Sequence, residues 1–513
     1  MIEAIVPAAK VAAKAAAGIG ATVPSGIVGL MRRVHRSVGF APPTATMIAE
    51  ERPATECALF RHLPQLSERI AWRSLGAART PVHTCLIQRP DGEGGENPLK
   101  FTVKREDLIS PLYGGNKVRT LQHQLATCES RREGGERAFR QLVSIGTGGS
   151  NQIVATVVHA RGLGWVGAHH GEGDETKDSP PQINVSWFDK DEPDLDNTLN
   201  MLSVLSFPSR GWTYNWGEPF KPARFVKALV NAIRQEEIVP MMPGGNCPAG
   251  VLGQVGGVLE LAEQITAGEC ADPQRIYVPI GSACTISGLI IGTVLARRLG
   301  MDALSHPEFS IIGCHVHEGL ALFDEKLGFH TNPLFGFVPL TITHTVKATC
   351  AALRGFGGPD LEADALKFLK TNVSIVGDQD NVGIYGAHSD KTRAAANLYD
   401  TAGRVEDLEG REAPPLWLCG HFAAKAFAPL LNDLEHAVKP GSGRYPSSPF
   451  MLWMTKSAVQ PRGGSDEWES MMQQNDTIKR WANEGKAEST LRRGRVSTTD
   501  GSSEDYRDIM TKI

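Results

Sequence analysis

The sequence predicts an α/β protein in which parallel strands lead into glycine-rich loops. From about Leu59 onward, short apolar runs alternate with amphipathic stretches, which is the pattern of strands and crossover helices. Three apolar runs, "FTVKRED", "QLVSI" and "RIYVPI", are predicted strands, and the second and third end at the glycine clusters "GTGGSNQ" and "GSACTISG". Because ligands of open α/β sheets bind outside the carboxyl ends of the strands, a cofactor is expected at these clusters.

The composition of the chain indicates which kinds of binding partner to expect. A chain of 513 residues predicts two domains, and 41% hydrophobic with 21% charged residues allows a large core without disulfides or metals. The net charge of −4 gives no bias toward nucleic acid or an anionic membrane, so small molecules or other proteins are the expected partners. Nine cysteines without a CxxC pair argue against a disulfide framework or a thiolate zinc site and favour a cytoplasmic setting.

Both ends of the chain are predicted to be appendages. Residues 1–55 are expected to form a flexible or helical arm, because Glu3, Lys10 and Lys14 interrupt the apolar run that a signal peptide needs. The apolar stretch 15–31 contains Pro24 and is shorter than a membrane span usually is. Residues 461–513 are predicted to be a polar tail with one helix at most, and "RVEDLEGREAPP" (404–415) a solvated surface loop.

The stretch "SPLYGGNKVR" supplies the first candidate residue, Lys117. Apolar side chains follow it at helical spacing, at Val118, Leu121, Leu125 and Cys128, so Lys117 is predicted in the first turn of a helix. The positive end of the helix dipole disfavours a protonated ammonium there by about 0.3–1 kcal/mol and lowers its pKa. Such a lysine suits an amine nucleophile, although from its position alone a surface lysine that happens to begin a helix is the favoured interpretation.

The two glycine clusters each lead into a predicted helix. Ser150, Asn151 and Gln152 open the first helix, where serine and asparagine are good N-caps and the glycines allow close approach of a ligand. After the second cluster, free backbone N–H groups and the helix dipole form a cradle for a phosphate, unless this is a plain strand-to-helix turn. The chain has no GxxxxGK[ST] and no GxGxxG sequence, so ATP and dinucleotide sites lose their main support.

Three further groups are interpreted as structural. His169 and His170 are adjacent and therefore point to opposite sides of a strand, without a third ligand at a fixed spacing. His315 and His317 fit a core strand with half-exposed histidines. Cys284 stands at a helix start and could be a reactive thiol, but a small loop residue is the favoured interpretation. No metal site is predicted.

Several collinear motifs resemble a known family. The stretches "VKREDLISPLYGGNKVR", "GTGGSNQ", "MMPGGNCPAGVLGQVGGVLELAEQ", "IYVPIGSACTISGLIIG", "YGAHSDKTRAAA" and "HFAAKAFAPLL" resemble the pyridoxal-phosphate (PLP) enzymes that include 1-aminocyclopropane-1-carboxylate (ACC) deaminase and D-cysteine desulfhydrase. The resemblance implies a two-domain fold like the tryptophan synthase β-subunit (fold type II), with parallel sheets and helices on both faces. It implies a larger PLP-binding domain of residues 56–118 and 240–460 and a smaller α/β domain of residues 119–239.

The resemblance also assigns expected roles. Lys117 resembles the Schiff-base lysine, with Asn116 beside it; Asn151 would face the phenolic oxygen of the cofactor, and Thr455 its pyridine nitrogen. Ser150 would bind the substrate carboxylate or move a proton, and Tyr385 would face the substrate. The expected phosphate loop is Gly281, Ser282, Ala283, Cys284 and Thr285. The expected substrate-binding residues are Ser150, Asn151, Gln152, Tyr385 and Phe422, and the expected catalytic residues are Lys117, Ser150 and Tyr385.

The implied function is a PLP-dependent lyase or deaminase acting on a small amino acid. A threonine cannot protonate the pyridine nitrogen as a carboxylate would, which favours β-elimination to a keto acid and ammonia, as in D-cysteine desulfhydrase. Phe422 and Ala423 stand where the deaminases have a tyrosine and a glutamate, so opening of a cyclopropane ring is doubtful. A catalytically silent binding or assembly protein and an amino-acid racemase are the alternatives, and a homodimer is the expected assembly.

Overall fold

The structure is a computed structural model, and two β-sheets organise it. It describes residues 39–49, 55–88, 98–167, 180–188, 195–205, 207, 210–214, 238–241, 243–316, 337–377, 382–383, 385–437, 449–462, 495–498 and 503–505. Most of the predicted arm, most of the predicted tail, and His169, His170 and His317 lie outside these residues.

The larger sheet has seven strands in the order β10-β9-β8-β12-β2-β1-β11. Neighbouring strands from β10 to β2 are parallel, whereas β1 is antiparallel to both β2 and β11. These strands are β1 (Val82–Ile87), β2 (Leu99–Lys104), β8 (Arg275–Ile280), β9 (Ser310–His315), β10 (Val373–Val376), β11 (Gly403–Glu406) and β12 (Phe450–Trp453).

Helices cover both faces of this sheet, because side chains alternate between two cores along each strand. On β8, Ile276 and Val278 pack into one core with the helices α6 (Pro248–Thr266), α7 (Cys284–Arg298), α8 (Phe337–Gly355) and α9 (Glu362–Asn372). Tyr277 packs into the other core with α10 (Asp390–Ala402) and α11 (Ala423–Ala437). The predicted α/β class, with parallel strands and helices on both faces, is confirmed.

The smaller sheet is built from residues between 141 and 241 and is parallel throughout its described part. Its order is β4-β5-β3-β7, with β6 also paired to β5. The strands are β3 (Gln141–Thr147), β4 (Val166–Gly167), β5 (Gln182–Phe188), β6 (Arg210–Tyr214) and β7 (Ile238–Met241). Apolar residues of α3 (Asn116–Glu133), α4 (Asn151–Gly162) and α5 (Leu195–Leu205) share its core. The predicted domain boundary at 118/119 falls inside α3, and the boundaries stay a prediction.

A buried ion network ties α3 to the large sheet. Arg119 donates from Nε to Glu106 Oε2 (2.9 Å) and from Nη2 to Glu260 Oε2 (2.8 Å). Lys104 Nζ donates to Glu260 Oε1 (2.6 Å), and all four side chains are nearly inaccessible to solvent. Since a buried charge is costly unless it is paired, this network fixes the start of α3 relative to α6 and β2.

One sequence prediction is wrong in part. The segment 404–415 was expected to be a solvated loop, but its first residues belong to β11, which pairs with β1 at the sheet edge. Val405 is buried opposite Cys85, and the turn that follows is held by Asp407 Oδ1, which accepts from the backbone of Glu409 (3.0 Å) and Arg411 (2.8 Å). One buried valine among charged neighbours gives too weak an alternation to be recognised as a strand.

The described parts of the two predicted appendages are ordered elements. The described part of the arm contains a short helix, α1 (Ala45–Ala49), and a second short helix, α2 (Ala58–His62), follows the arm. β13 (Val459–Arg462), which runs into the predicted tail, pairs with β14 (Arg495–Thr498), and β14 pairs with β15 (Ser503–Asp505), so the described residues of the tail belong to strands. No helix in the described ranges is both long and apolar enough to cross a membrane. All nine cysteines are free thiols.

Candidate active site

Lys117 lies in the first turn of α3, as its spacing predicts. The helix begins at Asn116, and Gly115 precedes it in a left-handed conformation (φ 92°, ψ 169°). The Lys117 amine donates to the Gly244 carbonyl oxygen at 3.0 Å. Desolvation lowers the pKa of this amine from its ordinary value, with a smaller opposing effect from Cys284. The site therefore favours the neutral, nucleophilic form of Lys117.

Thr455 lies next to this helix start. It follows β12, and a Cβ atom on Gly115 would come within 2.5 Å of the Thr455 carbonyl oxygen. Only a glycine permits this approach, because the backbone at position 115 is also in a region that other residues rarely adopt. The Thr455 side chain is buried, and its hydroxyl has no hydrogen-bond partner among the described residues. Such an unpaired buried hydroxyl points to a missing polar partner.

The predicted phosphate loop connects β8 to α7. Ala283 adopts a left-handed conformation (φ 66°) at the N-cap, and no side chain caps the helix. Thr285 Oγ1 accepts from Asn116 Nδ2 at 2.7 Å, which joins the loop to the residue before Lys117. Burial raises the pKa of the Cys284 thiol to about 12, which supports its interpretation as a small loop residue. The loop thus presents uncapped backbone N–H groups close to Lys117.

A second glycine loop, residues 243–246, lies between Lys117 and the phosphate loop. Gly244 has φ 69°, and a Cβ there would overlap the Ser282 side chain and lie 3.7 Å from Lys117 Nζ. Asn246 Nδ2 donates to the Ser282 carbonyl oxygen at 2.6 Å. The sequence analysis gave this loop no role, although two adjacent glycines after the end of β7 were a usable signal.

Ser150, Asn151 and Gln152 begin α4 at the end of β3. The Ser150 side chain is the N-cap and accepts from the Ile153 backbone at 3.4 Å. Asn151 is buried, and its Oδ1 accepts from Tyr113 (3.0 Å) and from Asn200 (2.7 Å). Gln152 is buried against its own helix, where its Nε2 donates to Thr156 Oγ1 at 3.0 Å. The structure therefore gives Ser150 and Gln152 structural contacts, and their predicted substrate roles stay predictions.

Tyr385 and Phe422 approach the phosphate loop from the other side. The Phe422 ring lies 3.1 Å from the position of a Cβ on Gly281, and the Tyr385 ring is edge-on to it with centroids 6.3 Å apart. His421 stacks on Phe422 with the two rings 4.6 Å apart. Aromatic surfaces thus line this side of the candidate site.

Asn197 on α5 links this aromatic side to the loop before α4. Its Nδ2 donates to the Gly386 carbonyl oxygen at 3.0 Å, and the same side chain lies against Gly149. The residues after Tyr385 and before Ser150 are therefore held together by one amide.

Four residues of the site were missed by the sequence analysis. They are the buried polar side chains that surround Asn151 and its loop: Tyr113, Asn197, Asn200 and Lys456. Tyr113 stands within a quoted motif and Lys456 directly follows Thr455, whereas α5 carries no motif that could have indicated Asn197 or Asn200. Among the described residues, no group of three or more His, Cys, Asp or Glu side chains is placed to bind a metal ion.

Comparison with known proteins gives partial matches. No family model matches the chain. A nocardicin C-9' epimerase from Nocardia uniformis is 32% identical over 206 residues, which cover 39% of this chain and 55% of that protein. A putative ACC deaminase from Pyrococcus abyssi is 28% identical over 44% of this chain and 58% of that protein. A probable ACC deaminase from Cryptococcus neoformans is 28% identical over 41% and 57%.

Solved structures also match this chain, at lower sequence identity than the curated proteins. The crystal structure of an ACC deaminase homologue is 19% identical, with a TM-score of 0.48, and covers 77% of this chain and 94% of that one. A threonine synthase from Brucella melitensis is 13% identical, with a TM-score of 0.41 and 88% coverage of both chains. This chain spans little more than half the length of the curated relatives described above. The resemblance predicted from the motifs is confirmed: the chain is similar in sequence to curated proteins named as ACC deaminases.

Proposed function

We propose that this protein is a PLP-dependent lyase or deaminase that acts on a small amino acid. The observation that carries the proposal is one juxtaposition. The Lys117 amine, the unpaired hydroxyl of Thr455 and the uncapped start of α7 are joined through Gly115, Gly244 and the Asn116–Thr285 hydrogen bond. A cofactor with an aldehyde, a ring nitrogen and a phosphate needs these three kinds of group together.

The phosphate end of PLP fits the start of α7. Residues 281–285 leave their backbone N–H groups uncapped at the positive end of a helix of 15 residues. Thr285 Oγ1 already accepts from Asn116, so its own proton is free to be donated to an anion. A dianion gains most from such backbone donors, because they cost no side-chain entropy to hold in place.

The ring of PLP fits the groups around Lys117. The Thr455 hydroxyl is a buried donor without a partner among the described residues, and a ring nitrogen would satisfy it. Lys117 offers an amine of lowered pKa for covalent attachment to the aldehyde. The side chains present therefore suit PLP at both of its ends.

Bound PLP supplies an electron sink for negative charge at the α-carbon of an amino acid. The chain's own residues then orient and move protons. Lys117, whose amine is held at Gly244, is the proposed group that takes and returns the α-proton, since burial lowers the pKa of this amine and so favours its basic, neutral form. Thr455 is uncharged, so it orients the ring without adding a positive charge to it.

The finer proposal is β-elimination of the D-cysteine desulfhydrase type, releasing a keto acid and ammonia. The neutral Thr455 partner supports this reaction. Phe422 argues against the competing reaction, the opening of a cyclopropane ring, since its side chain has no hydroxyl to assist it. The proposed catalytic residues are Lys117, Ser150 and Tyr385. We also propose the homodimeric state and the two-domain division at 118/119 and 239/240, for which light scattering and limited proteolysis are the direct measurements.

A racemase or epimerase is the second candidate function. The relative of 32% identity is named as an epimerase, and it matches at a higher identity than the two described deaminases do. An epimerase takes the α-proton and returns one without breaking a bond at the β-carbon, which Lys117 and a second proton donor can perform. Tyr385, close to Phe422 at the phosphate loop, is the proposed second donor.

The cofactor assignment is tested by a visible absorption spectrum of the purified protein with PLP, followed by borohydride reduction and peptide mapping. We expect a band of lysine-bound PLP and a label on Lys117. Lys117→Ala should lose both, whereas Lys100→Ala, which removes an exposed lysine of β2, should keep them. A protein that remains colourless and unlabelled with added PLP would overturn the proposal and favour a silent binding or assembly protein.

The reaction is tested with a panel of D- and L-amino acids in deuterium oxide. Keto acid released from an amino acid with a β leaving group, and lost in Lys117→Ala, is expected for the lyase. Loss of optical rotation with α-deuterium incorporation but without keto acid would replace the lyase with the racemase. Bound cofactor without either change would contradict both enzymatic functions.

A further inference from the structure

We propose that Asn200 is a positioning residue that fixes the side-chain amide of Asn151, so that Asn151 presents its N–H₂ group to the bound ligand. This inference rests on the proposed function, because PLP is the ligand whose negatively charged ring oxygen would accept from Asn151. Neither the motifs nor the comparisons assign a role to Asn200.

Asn200 lies in a buried polar cluster formed by residues of α4, α5 and β13, of the loop before α3 and of the segment between β12 and β13. Its members are Tyr113, Asn151, Asn200, Lys456 and Gln460, each at most 5% exposed. Lys456 Nζ donates to Asn200 Oδ1 (3.2 Å) and to Gln460 Oε1 (3.0 Å). Gln460 Nε2 also donates to Asn200 Oδ1, at 3.0 Å. Polar groups this deeply buried need defined partners.

The partners of Asn200 settle which way its amide points. An ammonium group has no acceptor, so the atom of Asn200 that faces Lys456 must be the oxygen. A backbone carbonyl has no donor, so the atom that faces the Gly149 carbonyl, at 2.8 Å, must be the nitrogen. Both ends of the Asn200 amide are therefore fixed by groups that have a single hydrogen-bonding role.

The orientation of the Asn200 amide also fixes the orientation of the Asn151 amide. The nitrogen of Asn200 also donates to Asn151, at 2.7 Å, so the facing atom of Asn151 must be its oxygen. Tyr113 donates to the same oxygen at 3.0 Å, but a hydroxyl can equally accept, so Tyr113 alone would not fix the amide. Neither of these contacts uses Asn151 Nδ2, which leaves that nitrogen to donate to a ligand.

Lys456 has an aromatic ring and an acidic group near it. Its ammonium lies 4.5 Å from the centre of the Trp417 ring, at a distance typical of a cation–π contact. The Trp417 indole donates to Asp196 at 2.9 Å; burial raises the pKa of Asp196, and the positive charge of Lys456 opposes this rise. The cluster is thus able to keep a cation buried beside Asn200.

The decisive variant is Asn200→Asp, which is nearly isosteric and retains an oxygen for Lys456 but has no N–H to donate to Asn151. Its carboxylate would repel the Asn151 oxygen and turn that amide, so that an oxygen faces the ligand. We expect the dissociation constant for PLP, measured by absorbance of the lysine-bound form, to rise about tenfold or more, since a hydrogen bond to a charged acceptor is lost. The visible band should also shift. Leu434→Ala, a core truncation on α11, provides the control for lowered stability alone.

A double-mutant comparison separates positioning from a structural role. Asn151→Ala should weaken PLP binding by a similar factor, and Asn200→Asp added to it should change the dissociation constant by less than about twofold. An Asn200→Asp variant with wild-type affinity and spectrum would refute the inference. An equal further loss in the Asn151→Ala background would also refute it, because Asn200 would then act on its own. If the wild-type protein binds no PLP, the proposed function fails, and this inference fails with it.

Discussion

Gly115 is the residue whose replacement tests the geometry of the site most directly. Its backbone angles, φ 92° and ψ 169°, lie in a region that is nearly exclusive to glycine, and occupying it with alanine costs about 1–3 kcal/mol. The added Cβ would in addition come within 2.5 Å of the Thr455 carbonyl oxygen, a backbone atom that cannot turn aside. We expect Gly115→Ala to destabilise the protein by about 3 kcal/mol or more.

The expected readout has two parts. At an unfolding entropy of about 2.1 cal/mol/K per residue, a loss of about 3 kcal/mol lowers the Tm of a chain this long by ~3 °C. Because the clash separates the start of α3 from Thr455, the covalent attachment of PLP to Lys117 should weaken as well. Differential scanning fluorimetry and PLP titration measure the two effects.

Two control glycines separate the causes. Gly135 also has a positive φ, of 90°, but nothing within 4 Å of its Cβ, so Gly135→Ala reports the cost of a positive φ without a clash. Gly256 lies inside α6 with open space around its Cβ, and Gly256→Ala should stabilise the protein by about 0.5–1 kcal/mol. If Gly115→Ala matches Gly135→Ala in Tm and keeps wild-type PLP binding, the close approach to Thr455 is not important.

Two further predictions concern the ion network and the phosphate loop. Burial raises the pKa of Glu260, but the charges of Arg119 and Lys104 outweigh burial and hold this pKa at about 2. The Glu260 carboxylate therefore stabilises the fold fully above about pH 4.5, and this contribution is lost as the pH falls toward 2. Glu260→Gln should therefore lower stability by about 3 kcal/mol or more at pH 7 and lessen the fall in Tm below pH 4.5; a wild-type Tm at pH 7 would contradict this. Gly281→Ala should weaken PLP binding several-fold, because its Cβ would lie 3.1 Å from the Phe422 ring, and Phe422→Leu in the same background should restore binding, as titration of each variant would show.

The local parts of the fold could be predicted from the sequence because their signals are local. The helix that begins at Asn116 follows from the spacing of Val118, Leu121 and Leu125, and the start of α7 follows from an apolar strand that ends in small residues. Both depend on neighbours within about one or two turns. The same holds for the α/β class, which requires only the order of strands and helices.

The supports of the site could not be predicted in this way. Asn200 reaches Asn151 only because α5 packs beside α4, and Lys456 reaches Asn200 across 256 residues of sequence. Neither contact leaves a periodicity or a spacing in the chain. The edge strand β11 was missed for a related reason. Its single buried side chain, Val405, is buried because β11 pairs with β1, which is distant in sequence.

The position of β12 has a consequence for how the protein is made. This strand, Phe450–Trp453, is among the last described elements in sequence, yet it lies between β8 and β2 in the middle of the seven-stranded sheet. During synthesis, β1 and β2 leave the ribosome long before β12, the strand that joins them to β8. Until β12 emerges, the two parts of the sheet have exposed edges. Thr455 lies two residues after the end of β12, so the candidate site is completed in the same late step that closes the sheet.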